Sequence, residues 1–183
     1  MSTVINILTL SRIFLAALIF ILLISPDRYF LALMLFFLAG ITDYFDGYLA
    51  RKYNAVSELG EILDPIADKI LILFVLFGLA INLSSYLIGF IGAIIITREI
   101  WVGALRDLSA RKRKTDATKV TFLAKIKTTV QLFTLSIYLF GLALNNMLIV
   151  IVADIFLFIS LFITLYTGFI YTFNTFKKDE SAS

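Results

Sequence analysis

Between Ile41 and Lys69 the chain reads ITDYFDGYLARKYNAVSELGEILDPIADK, crowding Asp43, Asp46, Glu58, Glu61, Asp64 and Asp68 into an otherwise oily sequence. An acid near the centre of a bilayer costs about 2.5–3.5 kcal/mol on insertion scales, so acids in such places are usually functional. Each helical residue turns the chain by about 100°, so Asp46, Gly47 and Ala50 all fall within about 60° of Asp43. Gly60, Asp64 and Asp68 fall within about 80° of one another. Two adjacent antiparallel helices can therefore aim Asp43, Asp46, Asp64 and Asp68 into one cleft. Salt bridges to Arg51 and Lys69 alone would leave most of that charge uncompensated, whereas a metal cluster balances it. The sequence contains no Cys and no His. Thiolate and Ser-His chemistry are excluded, and a metal must be held by oxygen, which points to Mg2+, Mn2+ or Ca2+.

The elements that must hold these acids are membrane helices. The hydrophobic share is 61% and the mean hydropathy +0.98, against about 45–50% apolar residues in a globular domain. A single all-α membrane domain is expected over residues 1–176, with 177–183 a short disordered cytoplasmic tail. A spanning helix needs about 20 mostly apolar residues. Six candidates are present, at Ile7–Ile24, Tyr29–Ala50, Gly60–Asn82, Tyr86–Leu108, Phe122–Leu144 and Met147–Phe173. The first could pass for a secretory signal, but SPDRYF leads straight into another apolar run, so a retained helix is the better reading. An even number of spans puts both termini on one side. Of the Lys and Arg residues only Arg28 falls on the other, so the termini and the acid-rich joint are expected to be cytoplasmic. The run Arg111–Lys114 suits that topological anchor better than a ligand site.

Local features suit a charged ligand beside the acids. The second span ends at the cytoplasmic face, where its partial negative end favours a cation; the third begins there and favours an anion such as phosphate. Gly47, Ala50 and Gly60 leave room for a ligand to approach the backbone, though small residues also serve helix packing in membranes. Pro65 frees one carbonyl of the preceding turn.

As a pattern the stretch is D-x-x-D-G-x-x-A-R, eight residues, then G-x-x-x-D-x-x-x-D, with Asp43, Asp46, Gly47, Ala50, Arg51, Gly60, Asp64 and Asp68 at its fixed positions. This resembles the signature of the CDP-alcohol phosphotransferase family. Within that family, Asn6–Phe14 (NILTLSRIF), TREI with ALR in Thr97–Arg106, and Lys125–Gln131 (KIKTTVQ) resemble the bacterial branch whose acceptor is sn-glycerol 3-phosphate. Ile5 stands where the family commonly has Pro, and Ala124 where Gly usually precedes the first Lys. The resemblance implies a six-transmembrane-helix bundle, a homodimer, and metal-dependent transfer of a phosphatidyl group from CDP-diacylglycerol with release of CMP. Asp43, Asp46, Asp64 and Asp68 would hold two Mg2+ or Mn2+ ions, and Asp68 would double as general base. Gly47, Ala50, Arg51 and Gly60 would receive CDP-diacylglycerol. Arg98, Arg106, Lys125 and Lys127 would bind the acceptor's phosphate, with Asn6, Thr9 and Arg12 closing that site from the first span. Besides the substrates the partners implied are membrane lipids, and no nucleic acid is expected.

Plainer readings stand beside these. Arg106 can anchor a helix end by snorkelling, Arg98 suits an internal ion pair with Glu99 as well as a ligand role, and Lys125 and Lys127 can belong to the basic anchor. Asp154, toward the outer end of the sixth span, reads as structural or as facing a wet crevice. A divalent-metal transporter would want its acids spread across the membrane rather than gathered on one side with Gly47, Arg51 and Gly60. A sister enzyme with inositol phosphate, serine or phosphatidylglycerol as acceptor is the nearer alternative.

Overall fold

Among the described residues six helices follow in chain order: α1 (Ser2–Ile24), α2 (Tyr29–Lys52), α3 (Glu58–Asn82), α4 (Tyr86–Arg111), α5 (Phe122–Ala143) and α6 (Met147–Glu180). The computed structural model describes residues 2–52, 58–111 and 122–180. The side chains of 2–6, 46, 49–51, 58–59, 61–62, 111, 122–125 and 177–180 lie outside that description. Helix ends fall within a few residues of the expected spans, except that α6 continues to Glu180, past the boundary expected at 176. Among the described residues four helices contain stretches long and apolar enough to cross a membrane unaided: Ile7–Ile24, Tyr86–Ala110, Ile126–Ala143 and Met147–Phe176. In α2 the comparable stretch, Tyr29–Phe45, is shorter, and α3 opens with the acids. These two helices give up apolar length to carry charge.

Three tight turns join α1 to α2, α3 to α4 and α5 to α6 at one end of the bundle. Each carries a non-glycine residue in the left-handed region: Asp27, Ser84 and Asn145. At Ser84 and Asn145 the pattern is a Schellman cap. The Ser85 N–H donates to the Ala80 carbonyl and that of Ser84 to Ile81; the Asn146 N–H donates to Gly141 and that of Asn145 to Leu142. The caps satisfy carbonyls that lipid cannot. Asn82 clips this end together by donating to the Leu23 carbonyl (2.8 Å) and the Tyr29 hydroxyl (2.9 Å). The start of α1 and the end of α6 lie at the opposite end.

α1 packs most extensively against α3 and then α2, α5 against α6, and α4 against both α3 and α6. The interior is one cluster in which Ile19, Leu23, Val75, Leu79, Ile91 and Leu139 are almost wholly buried. Gly78 permits the close approach of α1: a Cβ there would lie 2.8 Å from the Leu23 side chain.

Candidate active site

Two buried side chains of α1 organise the acids. Thr9 and Arg12 lie three residues apart on one face of α1, and both are fully buried. The Thr9 hydroxyl donates to Asp64 Oδ1 at 2.7 Å. Arg12 forks: Nη1 donates to Asp68 Oδ1 and Nη2 meets Asp43 Oδ1, each at 2.9 Å. One guanidinium thereby joins an acid of α2 to an acid of α3, a geometry that only the planar fork of Arg supplies. Asp43, Asp64 and Asp68 thus all bond to the Thr9–Arg12 face of α1. Asp46, Asn6, Ala50, Arg51 and Lys125 have side chains outside the described residues, and the loop 112–121 lies outside them altogether. Gly47 is half-buried and Gly60 buried.

Thr9 and Arg12 were expected beside the acceptor cations; they sit on the acids instead. Arg12 is buried where an unpaired charge would be costly, and carboxylates supply its partners. Lys69, weighed and set aside as a salt-bridge partner for the acids, lines a neighbouring chamber that Asp68 also reaches.

That chamber is a cavity of about 450 Å³ between α3, α4 and α5, within the size range of small-molecule sites. Asp68 and Lys69 line it from α3, Arg98, Glu99 and Arg106 from α4, and Lys127 from α5. Asp68 therefore belongs both to the acid cluster and to the cationic chamber. Glu99 Oε1 accepts from Arg98 Nη1 at 3.0 Å and also from Lys127 Nζ. The expected ion pair of Arg98 with Glu99 is thus present, and Lys127 joins it.

The sixth helix also contributes, which the sequence reading missed. Thr167 gives its own proton to the Ile163 carbonyl (2.8 Å) and accepts from Arg98 Nη2 at 2.7 Å. Gly168 lets Arg98 lie against α6, since a Cβ there would sit 2.9 Å from Arg98 Nε and 3.0 Å from its Cγ. The Tyr171 ring lies under Arg106, 5.3 Å from centroid to guanidinium carbon. The signal was available: Ser160, Thr164, Thr167, Tyr171 and Thr175 recur every three or four residues along an apolar helix. Asp154 is remote from all this and accepts a hydrogen bond from Tyr138.

The acids suit a hard divalent cation by donor chemistry. All are oxygen ligands, and the one charge of Arg12 leaves Asp43, Asp46, Asp64 and Asp68 with an excess of negative charge. Among the described residues no three acids form a ready-made metal group; Asp46, the fourth, lies outside them. Asp68 joins this acid cluster to the cationic chamber.

Known proteins share this arrangement of sequence. Residues 2–166 match the CDP-alcohol phosphatidyltransferase family. A CDP-diacylglycerol–glycerol-3-phosphate 3-phosphatidyltransferase of Rickettsia bellii is 41% identical over 178 residues, 94% of either chain. The Rickettsia felis protein of that name is 42% identical over 149 residues, covering 81% of this chain and 80% of its own. The Escherichia coli protein of that name is 34% identical over 133 residues, 72% of this chain and 73% of its own. With a match that runs through five helices and into the sixth, the chain belongs to the CDP-alcohol phosphatidyltransferase family.

Proposed function

We propose that this protein transfers the phosphatidyl group of CDP-diacylglycerol to sn-glycerol 3-phosphate, giving phosphatidylglycerophosphate and CMP. The observation that carries this reading is the position of Asp68, tied to the acid cluster through Arg12 and lining the cationic cavity at once. A reaction between a diphosphate donor and a phosphorylated acceptor needs a proton acceptor at that junction. The similarity to relatives bearing the name of this activity supports the same acceptor.

Asp43, Asp46, Asp64 and Asp68 would hold two Mg2+ or Mn2+ ions, which when bound neutralise the donor's diphosphate and the departing CMP. Gly47, Ala50 and Gly60 leave room for the cytidine diphosphate, and Arg51 pairs with its phosphates. Arg98, Arg106, Lys125 and Lys127 give the acceptor's phosphate a cationic surround. Asp68 takes the proton of the acceptor's free primary hydroxyl as that oxygen attacks the phosphatidyl phosphorus. The bond from this phosphorus to the bridging oxygen breaks, and CMP leaves with that oxygen. Thr9 and Arg12 keep the carboxylates of Asp64, Asp43 and Asp68 aimed, which limits reorganisation during reaction.

In this reading the protein is one domain in a bacterial-type inner membrane, with termini and site on the cytoplasmic side; the distribution of Lys and Arg supports that orientation. A homodimer belongs to the same proposal, on the family resemblance. The test is CMP release by purified protein. Release should require CDP-diacylglycerol, glycerol 3-phosphate and Mg2+ or Mn2+ together, and stop on chelation. Equal release with serine or inositol phosphate in place of glycerol 3-phosphate would overturn the acceptor assignment.

A further inference from the structure

The charged residues of the cavity are not equivalent. Lys69, Arg98, Arg106 and Lys127 face it together with Asp68 and Glu99. Arg98 and Lys127 share one oxygen of Glu99, and Arg98 is tied a second time to Thr167. Both cations are nearly buried, at 9% and 6% exposure, so leaving those charge-assisted bonds would strand Glu99 in an apolar wall. Among the described residues neither Lys69 nor Arg106 pairs with a carboxylate. Arg106 rests on the Tyr171 ring, which orients it without neutralising it; among the described residues its buried Nε, like that of Arg98, has no hydrogen-bond partner. Lys69 reaches the cavity past Gly103, where a Cβ would lie 3.5 Å from Nζ.

We propose that Glu99 is a positioning and specificity-determining residue: it fixes Arg98 and Lys127 as a wall of the cavity and so assigns the acceptor's phosphate to Arg106 and Lys69. This rests on the reading of the cavity as the acceptor site. Four cations against two carboxylates leave the lining at +2, the complement of a phosphate monoester, which is mostly dianionic above its second pKa of about 6. Without the Glu99 charge the lining would reach +3, and Arg98 and Lys127 would compete for the phosphate. A phosphate held by that wall lies away from Arg106 and Lys69, with its hydroxyl misaligned against Asp68. Glu99 thus trades anion affinity for alignment.

The probe is inorganic phosphate, titrated calorimetrically into the purified full-length protein and followed in parallel by CMP release. Glu99→Gln should bind phosphate about tenfold more tightly while its kcat falls, and Glu99→Asp should return phosphate affinity to the wild-type value. General loosening of the site would weaken phosphate binding and kcat together, so equal or weaker phosphate binding by Glu99→Gln overturns the proposal. A second arm holds even if that variant fails to fold. Arg106→Met and Lys69→Met should each weaken phosphate binding by about tenfold or more, and Lys127→Met by much less. The opposite ranking overturns the division of labour, as does wild-type protein that binds no phosphate. Loss of the glycerol 3-phosphate requirement in wild-type turnover would instead refute the acceptor reading, while the phosphate ranking still decides what Glu99 does.

Discussion

Replacing Arg12 by Met should lower stability strongly although no apolar contact is lost. Arg12 is fully buried and makes two charge-assisted bonds of 2.9 Å, to Asp43 and Asp68. Bonds to charged groups contribute about 1.5–3 kcal/mol each. The two acids are 49% and 47% exposed, so water recovers part of that loss once the guanidinium is gone. A net cost of about 2–4 kcal/mol remains, which for a chain of this size lowers Tm by about 5–15 °C. Arg12→Lys keeps the charge but reaches one acid at a time, and should lose about half as much. Trp101 is the only Trp, so its fluorescence in detergent reports the transition, and the chain has no Cys for a thiol dye. Divalent metal should raise the Tm of Arg12→Met more than that of wild type, because the bare acids gain a counter-charge. A Tm within about 2 °C of wild type in chelator would refute the reasoning.

Asp68→Asn removes the basic carboxylate at nearly constant size, so kcat should fall by about 10²–10⁴ while CDP-diacylglycerol still binds; Asp154→Asn, hydrogen-bonded to Tyr138 away from the site, should turn over normally. Gly168→Ala would set a Cβ 2.9 Å from Arg98 Nε, displacing the guanidinium and costing about 1–3 kcal/mol; a Tm unchanged from wild type would mean that Arg98 is not held there. For topology, a Cys at Tyr86, which is 96% exposed at the end with the tight turns, should react with an impermeant reagent outside intact cells. A Cys at Ser181 should not, and the reverse pattern would invert the orientation.

Much of this architecture is legible in the sequence because membrane helices are local objects. Their number follows from apolar length, and their ends from breaks such as SPDR and LNN. The faces of Asp43 on α2 and of Asp64 and Asp68 on α3 follow from the helical period. Partners across helices do not. Arg12 lies 56 residues before Asp68, and periodicity gives the face of α1 without saying which neighbour it meets. The same limit hid Lys127 from Glu99 and Thr167 from Arg98, separated by 28 and 69 residues. The placement of Lys69 on the cavity side also depends on how α3 leans against α4, where Gly103 leaves it space. The family resemblance put Thr9 and Arg12 with the acceptor; in the structure they bond to the acids.

The central claim is the identity of donor and acceptor, and the most direct measurement is the mass of the lipid formed in competition. Purified protein would receive CDP-diacylglycerol, Mg2+ and equal concentrations of glycerol 3-phosphate, inositol phosphate and serine, with CMP quantified alongside. The account predicts phosphatidylglycerophosphate as the dominant lipid product, in amounts equal to CMP. A dominant product from either other acceptor, or CMP released without a matching phosphatidyl product, would contradict it.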